Sequence, residues 1–182
     1  MSQHQWTPIS LLLHILVAIG VITQLTSSQL MHSHLSNAHS FFIVHEISGV
    51  STFVIALLIF LSKIFNPNHL KWHYLYPLCA RDWRKIFEDL GFIFRLRLPT
   101  RHGGGLAGLV QGLGVLLIMA MGLTGSTWYL LRHQVIDLSI SASSVIHIHS
   151  FLANFVWIYI IGHTVMALIS WLIPNTRKVA LP

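Results

Sequence analysis

Polar and apolar residues along this chain fall into long blocks, not a fine alternation. Four stretches, at about 9–25, 41–64, 106–131 and 145–173, stay apolar for the roughly 20 residues that crossing hydrocarbon requires. A span inside hydrocarbon must satisfy its backbone internally, so each is predicted to be a helix. Boundary signals agree. Thr7-Pro8 reads as an N-cap followed by a first helical residue, and Pro174 closes the last stretch. Trp6, Trp128, Tyr129 and Trp171 fall near span ends, where amphipathic rings favour the interface. Between the second and third stretches the period changes. Trp83, Ile86, Phe87, Leu90 and Phe94 recur at helical spacing, with Arg84, Lys85, Glu88 and Asp89 interleaved. This predicts an interfacial amphipathic helix within the loop 65–105. The expected fold is an all-α integral membrane protein, a four-transmembrane-helix bundle forming one domain over residues 1–182.

Composition strengthens that picture. Of the 182 residues 54% are hydrophobic and only 9% charged, against the roughly 25% charged usual in soluble domains. So few polar groups could not cover a water-facing surface, which excludes an ordinary soluble globule and a disordered segment. The first stretch lacks a Lys/Arg start and a small-residue cleavage site, so it reads as a retained span and not a signal peptide. The net charge of +6 is distributed unevenly. Lys63, Lys71, Arg81, Arg84, Lys85, Arg95, Arg97, Arg101, Arg177 and Lys178 fall on one side of the predicted spans, and Arg132 alone on the other. By the positive-inside rule both termini and the long loop are expected to be cytoplasmic, with 26–40 and 132–144 on the opposite, periplasmic side. The single cysteine, Cys79, precludes an internal disulfide, and no Cys-x-x-Cys-His is present for covalent haem attachment.

The 13 histidines outnumber both the basic and the acidic residues. His14, His45, His149 and His163 lie within spans, where ionisable groups are rare and usually functional. A lone membrane histidine can satisfy itself on a carbonyl, so the weight falls on the set. At about 1.5 Å per residue, His45 and His149 each sit roughly 6 Å inside the periplasmic edge. His14, roughly 9 Å deep, and His163, roughly 15 Å deep, share the cytoplasmic half. Two levels thus carry a pair each. His149 and His163 are 14 residues apart, which is about 40° short of four turns, so one helix serves both levels from one face. His147 is turned about 160° from His163 by the same arithmetic. A small residue follows each histidine one turn on: Ala18, Gly49, Ala153 and Ala167. Such residues also serve ordinary helix contacts, as do Gly122 and Gly125, but beside an axial ligand they leave room for a macrocycle. Bis-histidine ligation of a non-covalent haem fits these positions, and six-coordinate iron favours outer-sphere electron transfer.

Other features carry less. His45-Glu46 opens like the zinc-protease motif H-E-x-x-H, but Gly49 stands where the second histidine belongs. Glu46, the one acid inside a span, either orients a ligand or reaches the interface. His32, His34, His39 and His133 in the outward loops read as exposed polar residues before they read as a metal site. His102 and the glycines after it read as a turn and helix start. Arg97, Arg101 and His102, and Arg132 on the other side, are weak candidates to pair with haem propionates.

The chain resembles the bacterial cytochrome b561 and nickel-hydrogenase b-type cytochrome family. The likeness rests on Trp6-Thr7-Pro8 with His14, and on His45 with Gly49. It rests further on the glycine-rich stretch 103–108 leading to Leu123-Thr124-Gly125, and on His149 to Ala153-Asn154 running on to Gly162-His163. Ile15 follows His14 where members often carry Trp. The resemblance implies four spans in a bacterial inner membrane and two b haems, His14 with His163 on the cytoplasmic side and His45 with His149 on the periplasmic side. It implies electron transfer between a quinone, which a site on the chain would bind, and a c-type cytochrome or a dehydrogenase or hydrogenase subunit. An alternative is a superoxide oxidase reducing ubiquinone, although the long loop is nearer the hydrogenase-type branch. A haem-free membrane anchor or small transporter is the third reading, and it predicts tolerance of substitution at all four histidines.

Overall fold

The apolar stretches become helices because hydrocarbon leaves the backbone no other partner. The computed structural model describes residues 8–31, 37–65, 77, 79–94 and 105–172. They form α1 (Pro8–Met31), α2 (Ala38–Phe65), α3 (Ala80–Phe94), α4 (Gly105–Arg132) and α5 (Ala142–Leu172), with no strand among the described residues. The fold is all-α, and α1, α2, α4 and α5 are long and apolar enough to cross a membrane. Trp6, Thr7, His32, His34, Lys71, Arg95, Arg97, Arg101, His102, Gly103, Gly104, Pro174, Arg177 and Lys178 lie outside the described residues.

α1 continues to Met31, six residues past the hydropathy boundary at Leu25. Its polar last turns satisfy themselves. Thr23, Thr26 and Ser27 donate to the carbonyls of Ile19, Ile22 and Thr23, four residues back, at 2.9, 2.9 and 2.6 Å. Hydroxyls bonded in this way are tolerated inside a helix.

The chain divides into two units, one of Met1–Phe65 with Leu117–Asn154 and the other of Asn66–Leu116 with Phe155–Pro182. In the first unit, large apolar side chains point outward, Ile9, Ile19, Ile47 and Leu58 among them. The buried positions include Ser27, Thr52 and Ala56. This inversion suits lipid, which is as apolar as leucine and therefore drives no burial of leucine. Small residues let the helices approach instead. A Cβ on Gly20 of α1 would collide with Thr52 of α2, and one on Gly122 of α4 with Phe53 of α2. Phe42 and Trp128 meet edge to face with centroids 6.0 Å apart.

In the second unit α3 is amphipathic: Ile86 is buried, while Trp83, Phe87 and Phe94 are exposed. Asp82 lies in its first turn, where the helix dipole favours a carboxylate, and accepts from Cys79 Sγ at 3.2 Å. Asp89 reaches from α3 to the start of α4, where its Oδ2 accepts from the Leu106 N–H at 2.9 Å. The chain enters α4 through Gly105 at φ 65°, a region that suits glycine, and a Cβ there would collide with the Asp89 carboxylate.

Candidate functional site

His45 lies on α2 and His149 on α5, both half-buried in the first unit. Their ring centroids are 6.4 Å apart and their planes nearly perpendicular, at 85°. Metal–imidazole bonds of about 2 Å place two rings on one metal with centres roughly 6 Å apart. The observed spacing therefore fits a shared iron.

Hydrogen bonds fix which nitrogen each ring presents. Nδ1 of His45 is 3.1 Å from the Gln24 carbonyl and 3.1 Å from Ser27 Oγ, both on α1. A carbonyl only accepts, so Nδ1 carries the proton and Nε2 is left with its lone pair free to act as an acceptor or a ligand. Gln24 holds α2 a second way. Its Nε2 donates to the His45 carbonyl and to Ser48 Oγ, each at 2.6 Å. Gly49 makes room for that amide, since a Cβ there would stand 3.0 Å from Gln24 Oε1. On α5, Nδ1 of His149 is 2.9 Å from Thr124 Oγ1 of α4. Gly125, the next residue, lies against the same ring, where a Cβ would stand 3.3 Å from Cε1. All four long helices thus contribute to the surroundings of this pair. A ligand histidine whose other ring nitrogen is held by an acceptor is the usual metal-site arrangement.

The remaining sequence candidates fall as follows. His14 is exposed on α1 in the first unit, with half-buried Ala18 one turn on. His163 is exposed on α5 in the second unit, with exposed Ala167 one turn on. The Tyr159 ring stacks on that of His163, centroids 5.5 Å apart and planes 15° apart. Gly114 of α4 lies against Tyr159, where a Cβ would collide with the phenol. Ala153 and Glu46 are half-buried, and His147, His39, His133 and Arg132 are exposed. Among the described residues no three His, Cys, Asp or Glu side chains gather as a metal site.

Sequence reasoning did not assign Gln24, Ser27, Thr124 or Tyr159 a role. The available signals were slight. Gln24 and Ser27 are polar residues closing an apolar run, Thr124 precedes a glycine, and Tyr159 sits one turn before His163.

A family model described as prokaryotic cytochrome b561 matches residues 5–180. No curated protein and no solved structure matches the chain.

Proposed function

The chain belongs to the prokaryotic cytochrome b561 family, a multi-pass bacterial membrane protein that binds b-type haem and transfers electrons, and from that premise we propose that it carries two haems. His45 and His149 hold one, and His14 and His163 hold the other. The observation that supports the His45–His149 site is the 6.4 Å spacing of the two rings, with each Nδ1 held by a neighbouring helix; the His14–His163 site rests on the sequence pattern and the family.

The haem supplies a one-electron couple that needs no open coordination position. The protein residues do the rest. His45 and His149 would hold the haem from both sides, with each Nδ1 fixed by a neighbouring helix, so the side chains would need little rearrangement. Ile47 and Ile148, beside the ligand pair on its two helices, are exposed and suit a lipid-facing surface at that level. Two pairs at two depths divide the bilayer into shorter steps. Electrons then pass between a quinone and a periplasmic or dehydrogenase or hydrogenase partner, in the inner membrane. The exposed Trp83, Phe87 and Phe94 of α3 suit a helix lying in the cytoplasmic interface.

Purified protein tests the reading by absorption. The reduced form is expected to show the α-band of b haem at two haems per chain. His149→Ala is expected to halve the band, and His147→Ala to leave it intact. A chain that binds no haem, or loses none on His149→Ala, refutes the proposal.

A further inference from the structure

The two ligand imidazoles of the first unit are held by the same device, built twice on different helices. On α1, Ser27 Oγ donates to the Thr23 carbonyl at 2.6 Å, one turn back, and lies 3.1 Å from Nδ1 of His45. On α4, Thr124 Oγ1 donates to the Ala120 carbonyl at 2.7 Å, again one turn back, and lies 2.9 Å from Nδ1 of His149. A hydroxyl has one proton. Once that proton is committed to a helix carbonyl, only lone pairs face the ring, and the ring nitrogen opposite must be the donor. Ser27 is 3% exposed, so no bulk water competes for it.

We infer that Ser27 and Thr124 are positioning residues for the iron between His45 and His149: each accepts from Nδ1–H, fixes the tautomer and ring plane, and leaves Nε2 for the metal. The inference rests on the ligand assignment proposed above. An acceptor at Nδ1–H makes the imidazole a stronger electron donor, which stabilises the oxidised metal and lowers the potential. The two rings are alike in a further respect. His45 also has the Gln24 carbonyl at 3.1 Å, and His149 has the Met121 backbone carbonyl, each three residues before the hydroxyl. Substitution at Thr124 and at Ser27 should therefore move the potential in the same direction and to a similar extent.

The test is a redox titration of the full chain in detergent, followed at the α-band, with haem content measured alongside. Thr124→Val keeps the shape and removes the acceptor. The expected result is unchanged haem content and a raised midpoint potential for one haem of the two, with Thr124→Ser restoring the native value. Ser27→Ala is expected to raise the same potential. The low-spin ferric resonance gives a second readout. Near-perpendicular ring planes give a strongly anisotropic signal, and release of the His149 ring in Thr124→Val should change that anisotropy. Native potentials and signal in Thr124→Val would overturn the inference, as would equal displacement by Val and Ser, which marks a packing role. If His45→Ala and His149→Ala each lose one haem while Thr124→Val changes nothing, the ligand assignment stands and the positioning role alone is overturned. If neither histidine variant loses haem, the ligand assignment is overturned first.

Discussion

At the residue scale, polar side chains inside the first unit act as connectors between helices. Gln24 is the clearest example. It spans from α1 to the His45 carbonyl and to Ser48 on α2, two bonds with no lipid alternative. Interhelical hydrogen bonds in membranes average about 0.6 kcal/mol and reach about 2 kcal/mol. Gln24→Leu is therefore expected to lower stability by about 1 kcal/mol and to loosen the α1–α2 pair, measured as an earlier thermal loss of helicity in detergent. Unchanged melting would show that the amide does not hold the pair. Gly49 belongs to the same contact, because its missing side chain is the space that the amide fills. The sequence places Gly49 one turn from His45 and suggests room beside a ligand. In the structure that room receives Gln24.

At the element scale, α3 and the start of α4 form a unit that hydropathy alone does not join. The spacing of Trp83, Ile86, Phe87, Leu90 and Phe94 predicts an amphipathic helix, and α3 is one. In the sequence Asp89 is one of the charged residues interleaved in that helix; in the structure it caps α4 through the Leu106 N–H. Replacing a capping carboxylate by alanine costs about 1 kcal/mol. Asp89→Ala is expected to raise amide exchange in the first turn of α4, and Asp89→Asn to retain most of the protection, since asparagine caps nearly as well. Equal exchange in all three proteins would remove the cap from the account. The ends of α1 show the converse limit. Hydropathy stops at Leu25, where the side chains become polar, but the helix runs to Met31, its serine and threonine hydroxyls satisfied on carbonyls one turn back. That extra length is what brings Ser27 to His45.

At the scale of the whole molecule, many large apolar residues of the long helices are exposed, while Ser27, Thr52 and Ala56 are among the buried ones beside Leu25, Val145 and Val156. Such a surface is stable only in lipid. By the positive-inside rule, the uneven distribution of Lys and Arg along the sequence predicts both termini and the loop 65–105 in the cytoplasm. Cys79 gives a direct check, because it is the single cysteine and is exposed beside α3. In oriented inner-membrane vesicles a membrane-impermeant maleimide is expected to label it from the cytoplasmic face alone. Labelling from the periplasmic face would reverse the topology, and with it which haem faces which partner.

Helix number, helix type and the face shared by His149 and His163 are set by local physics: the thickness of hydrocarbon, the helical period and the cost of an unpaired peptide group. All of these are written in consecutive residues. The partners of those histidines are not local. Ser27 and His45 are 18 residues apart, Thr124 and His149 are 25, and Asp89 and Leu106 are 17. Only packing decides which hydroxyl of which helix meets each ring, because many serines and threonines along the spans could bond to their own carbonyls equally well.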